Sequence, residues 1–600
     1  YILGQCYTKI DDKASAKAAF QQAARMKYSA SITEESSFNI AKITYDQGNY
    51  TEALSLLKNF IQTYPNSSFN EDAQDLLADV FFKTRSYEEA IGLIENMKNP
   101  TSSIKASYQK MAYYRAMEYY SNDQLDKADQ YLDKALSFRP ESSIEALTYY
   151  WKADVAHTKG KYDESNQWLS KFNSIAATIS TEHSSRVSSG TGFYLQGYNS
   201  YKKKDFISSQ ILFAKAVDRL KTEKDAVIQQ TIYPDAILRL ADSYYMQKKY
   251  SEAVSQYNLV MNSQVKGSDY ATYQSAMLKG MTGQTDAKIT GLVKVYTSFP
   301  GSTYADDAIF ELGNTYNNVG RGSEAINTYQ ILFKNYPKSE FVPFAYNRVG
   351  LIRYNENNLD AALASYKHVI QKYPKTAASQ EALIAVKDIY INKGDPDGYF
   401  DLMKQYPGAM VSTSTQDSVV YQAAEAQFVK GNYEMAVKGF DSYIQTYSNG
   451  AFILPARYYR GESKYYTGNV VGSLPDFEYV IAQPTNKFSE KSLTRAAIIS
   501  FNQGDFSKSA NYYESLKEIA STEDLKNDAT LGAMRAYFKI KNYNKATEYA
   551  NDVLNLKGLS EIIQVEAVFY RGIAQLNLKN TAAAILDLES VIKRINNEWA

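Results

Sequence analysis

Apolar and polar positions follow one pattern that returns about every 37 residues along the chain. In each unit a small residue is usually followed, four positions later, by a large apolar or aromatic residue. Ala16, Ala53 and Ala90 are spaced in this way. The full series of small residues is Ala16, Ala53, Ala90, Ala128, Ser165, Ser209, Ala253, Ala325, Ala362, Ala436, Ser473, Ser509, Ala546 and Ala584. Two gaps of nearly double length leave room for one degenerate unit each, so the pattern predicts sixteen units.

Each unit is predicted to form two short amphipathic helices joined by a tight turn. In residues 37–66 the apolar positions recur at helical spacing on both sides of Gly48-Asn49-Tyr50, and Pro65 ends the second helix. The same turn recurs as Gly160-Lys161-Tyr162, Gly431-Asn432-Tyr433 and Gly504-Asp505-Phe506. Glycine adopts the left-handed conformation at little cost, so it ends the first helix sharply. We expect the aromatic residue two positions later to pack into the hairpin.

These helices depend on their neighbours for stability. Isolated helices of about 12 to 14 residues are marginal in water, whereas stacked hairpins bury their apolar faces against each other. We expect the small residue of each unit to lie where the paired helices approach most closely. The pattern therefore predicts an all-α array of about sixteen helix-turn-helix units.

The spacing of particular residues resembles the tetratricopeptide-repeat family. Three well-matched sets are Gly4, Tyr7, Ala16, Phe20 and Ala23; Ala116, Tyr119, Ala128, Leu132, Ala135 and Pro140; and Gly313, Tyr316, Gly320, Ala325, Tyr329 and Pro337. Matches of this kind extend over nearly the whole chain. The resemblance implies a right-handed superhelical solenoid that binds other proteins in its concave groove.

The joins between units carry a narrower resemblance. They are Tyr64-Pro65-Asn66-Ser67, Phe299-Pro300-Gly301-Ser302, Tyr336-Pro337-Lys338-Ser339 and Tyr373-Pro374-Lys375-Thr376. This style is similar to periplasmic repeat proteins of the Tol–Pal cell-division coordinator family and to repeat lipoproteins of the outer-membrane assembly machinery. It implies a periplasmic or outer-membrane-associated location and partners among envelope proteins.

Two irregular stretches predict boundaries within the array. One is the Ser/Thr-rich segment 174–190, and the other is segment 395–420, which contains Pro396, Pro407 and Gly408. We place flexible boundaries near residues 185 and 410. The predicted arrays are therefore 1–172, 192–394 and 416–600.

Charge and candidate chemistry narrow the functional classes. Lys plus Arg and Asp plus Glu both total 66, so no net charge attracts nucleic acid or anionic lipid. The three histidines, His157, His183 and His368, are far apart, and no nucleophile or phosphate-loop motif is present. We expect no enzyme activity, no metal and no cofactor.

Because Tyr1 falls inside a first helix, we expect any export signal or membrane anchor to precede it.

Tyrosine is unusually frequent, with 53 residues in 600. The family resemblance implies that three positions of each first helix face the concave groove, and aromatic residues recur at two of them. The candidate partner-binding residues at these positions are Tyr113, Tyr120, Tyr150, Tyr194, Tyr201, Tyr245, Tyr354, Tyr421, Phe428, Tyr458, Tyr465, Phe501 and Phe538, and Tyr45 and Phe82 hold the same position in earlier units. Tyrosine is enriched at binding surfaces. Two alternatives remain open: the rings fill gaps between first helices, or they bind carbohydrate such as peptidoglycan. A clamp for a peptide carboxylate is disfavoured, because Phe310 lies where a cation is needed.

Overall fold

The computed structural model describes residues 1–97, 99–139, 141–179, 186–263, 265–406 and 411–594. Thirty-two α-helices occupy these ranges, in sixteen successive pairs, and no strand is present in them. The predicted all-α array of sixteen helix-turn-helix units is confirmed. The chain forms two compact units, Tyr1–Arg321 and Gly322–Ala600.

The first unit contains seventeen helices in its described part: α1 (Ile2–Lys9), α2 (Lys13–Met26), α3 (Ala30–Asp46), α4 (Tyr50–Thr63), α5 (Asn70–Thr84), α6 (Tyr87–Glu95), α7 (Ser102–Ser121), α8 (Leu125–Ala135), α9 (Ser142–Thr158), α10 (Tyr162–Ile175), α11 (Ser189–Lys202), α12 (Phe206–Leu220), α13 (Tyr233–Met246), α14 (Tyr250–Met261), α15 (Ser268–Met281), α16 (Thr285–Ser298) and α17 (Ala305–Asn318). A 3₁₀ turn, Ala176–Thr178, follows α10, and a π turn, Ile228–Ile232, precedes α13.

The second unit contains fifteen helices in its described part: α18 (Gly322–Asn335), α19 (Val342–Asn355), α20 (Leu359–Lys372), α21 (Ala377–Lys393), α22 (Pro396–Lys404), α23 (Thr413–Val429), α24 (Tyr433–Thr446), α25 (Ile453–Tyr466), α26 (Val470–Ile481), α27 (Ser489–Asn502), α28 (Phe506–Ile519), α29 (Glu523–Lys539), α30 (Tyr543–Leu554), α31 (Glu561–Asn577) and α32 (Thr581–Lys593).

The predicted boundaries near 185 and 410 fall within residues 180–185 and 407–410, outside the described residues. Much of the predicted break at 395–420 is helical, because α22 and α23 lie there. Pro396 is the first residue of α22, a position where its missing N–H and fixed φ suit a helix. The division into arrays 1–172, 192–394 and 416–600 stays a prediction.

The small residues predicted from the period are the closest points between paired helices. All fourteen, from Ala16 to Ala584, are at most 1% exposed. Where the residue four positions after the small residue is aromatic, its ring packs on the backbone of the first helix. At Gly197, a Cβ atom would lie 2.8 Å from the buried Phe213 ring, and at Gly350 it would lie 2.7 Å from the Tyr366 ring. Tight packing at these points leaves no space for a larger side chain.

The two degenerate units replace the small residue with a large one. Lys288 occupies the position in α16, and Gly280 in α15 makes room for it, since a Cβ there would lie 2.5 Å from the Lys288 side chain. The Lys288 ammonium then donates a hydrogen bond to Glu311 at 3.1 Å. In α22 the position holds Tyr399, which is 7% exposed. Sequence reasoning could locate these two units only by the length of the gap.

Every one of the sixteen turns in the described residues contains a left-handed residue at the same position. Eight are the glycines Gly48, Gly160, Gly283, Gly320, Gly394, Gly431, Gly468 and Gly504. The other eight are Asp11, Arg85, Asp123, Lys204, Lys248, Asn357, Lys541 and Lys579, with φ between 53° and 67°. The turn predicted from glycine is therefore confirmed. Five of the turns adopt it with an arginine or lysine, for which the conformation is strained.

The residues after the turn start the second helix. Asn49 and Asp505 cap α4 and α28 by accepting a hydrogen bond from the backbone N–H three residues later. The next residue is the predicted aromatic, and its ring contacts the last turn of the first helix. The ring centres of Phe501 and Phe506 are 5.0 Å apart. Equivalent pairs are Tyr45–Tyr50, Phe82–Tyr87, Tyr201–Phe206, Tyr245–Tyr250, Phe428–Tyr433 and Phe538–Tyr543.

We predict that Lys541→Gly stabilises the α29–α30 hairpin by about 0.5–1 kcal/mol. Glycine adopts the left-handed conformation without the steric cost that lysine incurs there. This gain in stability exceeds the entropic cost of glycine's greater freedom in the unfolded chain. Native-state hydrogen exchange of the α29 and α30 amides measures the local effect. Lys539→Gly is the matched control, since Lys539 lies in α29 and its loss of helix propensity lowers protection. Equal effects of the two substitutions would contradict the strain argument.

We also predict that Gly197→Ala destabilises the α11–α12 hairpin by about 1–2 kcal/mol, because the clash with Phe213 outweighs the gain in helix propensity. Gly92→Ala in α6 is the control: no atom lies within 4 Å of its added Cβ. That variant should be neutral or up to about 1 kcal/mol more stable. Thermal unfolding followed by circular dichroism compares the two. Stabilisation by Gly197→Ala would show that the ring contact is unimportant.

Candidate functional site

The predicted aromatic residues of the first helices differ in burial. Tyr113, Tyr421 and Tyr458 are only 5–6% exposed. The other ten reach the surface in part: Tyr120, Tyr150, Tyr194, Tyr201, Tyr245, Tyr354, Phe428, Tyr465, Phe501 and Phe538. Tyr45 and Phe82 are also partly exposed. Partner binding by these partly exposed rings stays a prediction.

Tyr113, Tyr421 and Tyr458 are core residues and offer no ring face to a partner. The ring of Tyr421 stacks on Phe452 at 4.7 Å, and Tyr458 stacks on Phe488 at 4.5 Å. Phe452 and Phe488 are the N-cap residues of α25 and α27, the next first helices along the chain. An aromatic residue of the following unit therefore covers each of these two tyrosines. This burial corrects their placement in an open groove.

Several partly exposed rings join neighbouring first helices. Phe428 lies 4.9 Å from Tyr459, and Phe538 lies 4.4 Å from Tyr570, measured between ring centres. Tyr120 packs edge-on against a tryptophan of α9 and donates a hydrogen bond to Asp154. Burial and this carboxylate raise the pKa of Tyr120. Such rings contact the neighbouring first helix, as the first alternative proposed, and are only partly exposed.

Tyr194 belongs to a polar network between α11 and α13. Its hydroxyl donates to Asp235 at 2.7 Å, and Asp235 also pairs with Arg239 at 3.2 Å. Arg239 pairs in turn with Asp242, which accepts a hydrogen bond from the Tyr270 hydroxyl at 2.8 Å. Burial raises the pKa values of Tyr194 and Asp242. These bonds hold successive hairpins together and occupy the polar atoms of Tyr194.

The second unit has an exposed aromatic and aliphatic surface on α23, α25 and α27. Val429 is 77% exposed, Tyr466 is 51% exposed and Ile498 is 36% exposed. We define the Tyr466 patch as Val429, Tyr433, Tyr465, Tyr466, Arg495 and Ile498. Tyr466 stacks on Tyr433 with ring centres 4.7 Å apart and planes 22° apart. A contiguous exposed apolar surface marks a binding site, and the contacts of Tyr433 and Arg495 with Tyr466 make the centre of the patch contiguous.

Arg495 is held in place within the patch by a buried carboxylate. Glu462 is 6% exposed and accepts hydrogen bonds from two nitrogens of the guanidinium, at 2.9 and 3.2 Å. The Arg495 guanidinium lies 3.9 Å above the Tyr465 ring and 5.8 Å from the centre of Tyr466. Burial acts to lower the pKa of Arg495, but the Glu462 carboxylate outweighs it and raises that pKa. The cation is therefore oriented before any partner arrives.

Sequence reasoning named only Tyr465 from this patch as a binding residue. It missed Tyr466, the next residue, which has the larger exposure. Arg495 was missed because its partner Glu462 is 33 residues away in the preceding unit. The consecutive tyrosines Tyr465-Tyr466 were the available signal.

Comparison with known families identifies the repeat. A model described as the tetratricopeptide repeat matches residues 35–67, 235–263, 307–339 and 346–376, and a second model with the same description matches residues 1–29 and 110–142. The chain contains tetratricopeptide repeats. A search of curated proteins gave no match.

Solved tetratricopeptide-repeat structures also resemble parts of the chain. The crystal structure of MamA is 21% identical and covers 30% of this chain and 95% of its own, with a TM-score of 0.25. A tetratricopeptide repeat protein from Parabacteroides merdae is 14% identical over 44% of this chain and 99% of its own, also at 0.25. The repeat domain of P58(IPK) is 14% identical over 72% and 98%, at 0.19. TM-scores this low carry no argument about function.

Other chemistry in this tetratricopeptide array is limited. Within the described ranges, no three His, Cys, Asp or Glu side chains gather as metal ligands. His183 lies outside those ranges. No described helix is both long and apolar enough to cross a bilayer.

We predict that substituting a buried tyrosine of α25 lowers the stability of the protein far more than substituting an exposed one. Tyr458→Ala should cost about 3–4 kcal/mol, because it removes a ring packed on Phe488 and leaves a cavity. Tyr466→Ser should cost less than about 1 kcal/mol, since half of that ring faces solvent. Urea unfolding, together with hydrogen exchange of the α25 amides, compares the two. Comparable losses would place Tyr466 in the core and remove it from the candidate site.

Proposed function

We propose that this protein is a non-catalytic scaffold that binds a partner protein through the Tyr466 patch. Tetratricopeptide repeats generally mediate protein–protein interactions and are generally not catalytic. The observation that carries the proposal is the exposed stack of Tyr433 and Tyr466 beside an oriented Arg495. Tyrosine and arginine are the residues most enriched where binding energy concentrates.

The chemistry of the patch suits a particular kind of partner segment. Val429 and Ile498 offer aliphatic contacts, and Tyr466 offers a large face at low conformational cost. Arg495 is already ordered by Glu462, so binding a carboxylate requires little further loss of side-chain freedom. The partner segment is therefore an amphipathic helix or extended strand with apolar anchors and an acidic residue.

The same groups argue against catalysis at this surface. The carboxylate of Glu462 accepts two hydrogen bonds from Arg495 and is buried. Buried against the Arg495 guanidinium, it does not face solvent as a general base for a bound substrate would. The Tyr466 ring supports contact by stacking, which requires no proton transfer.

We place the scaffold in the bacterial cell envelope, either periplasmic or associated with the outer membrane, with envelope proteins as partners. The support is the style of the joins between repeats. Three of these four joins end on a serine that shapes the entry to the next helix. The Ser67, Ser302 and Ser339 hydroxyl oxygens accept hydrogen bonds from the backbone N–H two residues later, at 3.1, 3.1 and 3.2 Å.

The test uses capture by the purified protein from separated envelope and cytoplasmic fractions of the source cells. We expect specific partners from the envelope fraction, and the double variant Val429→Ser/Tyr466→Ser should weaken their binding at least about tenfold. The control is Ile211→Ser/Leu259→Ser, which removes two exposed apolar side chains from second helices of the first unit.

Three outcomes contradict the proposal in different ways. Equal loss with both double variants means that the patch is not the binding surface. Capture from the cytoplasmic fraction alone contradicts the envelope location. Retention on cell-wall polysaccharide, with no protein captured, favours the carbohydrate-binding alternative.

A further inference from the structure

A cleft in the first unit lies between the second helices α6 and α8 and the start of the first helix α7, and none of the predicted partner-binding aromatic residues lines it. It arises because α6 ends at Glu95 after nine residues, whereas the second helix of the preceding pair, α4, has fourteen. The chain turns at Asn96 and Met97, where backbone N–H groups bond back to Leu93 and Ile94. The missing turns of α6 leave a gap of about 740 Å³ against α7 and α8.

The cleft has an apolar floor and an aromatic wall. Ile94 and Tyr108 are at most 2% exposed and form the floor, and Met97 is partly buried beside them. Phe138, just after α8, meets the Tyr108 ring edge-on, with centres 5.2 Å apart and planes at 88°. Phe138 is itself only partly buried, so one part of the wall remains free for a ligand. Pockets of a few hundred Å³ with this kind of lining hold small organic groups.

The charges around the cleft leave one lysine without a carboxylate. Glu95 accepts hydrogen bonds from Lys134 at 2.9 Å and from the Tyr108 hydroxyl at 2.8 Å. Asp133 pairs with Lys152 at 2.7 Å. Lys105 lies 5.8 Å from the centre of the Phe138 ring and has no ion-pair partner among the residues described. The cationic Lys105 ammonium therefore stands beside the aromatic wall without a carboxylate to neutralise it.

We propose that this cleft binds an aromatic group that carries a carboxylate. The ring packs between Phe138 and the floor at Ile94, and the carboxylate pairs with Lys105. Edge-to-face contact with Phe138 and burial on the apolar floor supply affinity, while Lys105 selects the acid over a neutral analogue. The same chemistry is offered by a free aromatic acid and by a phenylalanine at the carboxyl end of a partner chain.

The proposal is independent of the proposed function. The cleft lies among α6, α7 and α8, whereas the Tyr466 patch lies on α23, α25 and α27 of the other unit. Substitutions in one can therefore be tested without altering the other.

The experiment measures binding of N-acetyl-phenylalanine to the full chain by ligand-observed NMR titration. We expect saturable binding with a dissociation constant of about 1 mM or below, and about fivefold weaker binding of N-acetyl-phenylalaninamide, which lacks the charge. A short peptide that ends in phenylalanine, compared with the same peptide amidated, separates the two sources. Tighter binding of the free-ended peptide than of the small acid assigns the site to a partner's chain end.

Two variants locate the site. Gln130→Trp fills the mouth of the cleft from an exposed position and should abolish saturable binding. Asn511→Trp is the matched control, at the equivalent exposed position of α28, and should leave binding unchanged. Lys105→Met should equalise the acid and the amide. The proposal is overturned if the acid and amide bind equally to the unaltered chain, if neither binds, or if Gln130→Trp has no effect.

Discussion

The structure depends on how closely the two helices of each hairpin approach one another. In fourteen of the sixteen hairpins the second helix carries an alanine or serine there that is almost completely buried. Where the residue one turn later is aromatic, as in Phe213 and Tyr366, its ring rests on the backbone of the first helix. Helices this close need a tight connection between them. A left-handed residue lets the chain reverse within a few residues, a cap starts the second helix, and an aromatic pair packs across the turn. Hairpins assembled in this way bury their remaining apolar faces only against neighbours.

The period of small residues was sufficient to predict the number of hairpins, because close helix packing restricts side-chain size strongly. It could not predict how the degenerate units solve the same problem. Lys288 fits only because Gly280, on the facing helix, has no side chain. The turns were predictable where glycine occurs. Lys248 and Lys541 adopt the same left-handed conformation, but lysine has no preference for it, so the surrounding hairpin imposes the conformation on them.

The functional surface was harder to predict, because its exposure is decided by residues of other units. The family resemblance directs both Tyr421 and Tyr465 into the groove, yet Phe452 of the next unit stacks on Tyr421, whereas Tyr465 stays partly exposed. Family slots indicate the direction in which a side chain points from its own helix. They do not indicate whether a ring from about thirty residues away stacks upon it. Arg495 and Glu462 illustrate the same limit, since neither is distinctive without the other.

The joins and turns have a consequence for how such a molecule can change over generations. Every described hairpin turns on a left-handed residue at the same position, and among the described residues its main contacts are with adjacent hairpins. Duplication or loss of one whole unit in the gene recreates an ordinary junction and leaves distant hairpins undisturbed. Loss of half a unit would instead place two second helices side by side and expose their rings. The array can therefore change in length by steps of about 37 residues. The Tyr466 patch is built from three consecutive hairpins, so it is kept only when all three are kept together.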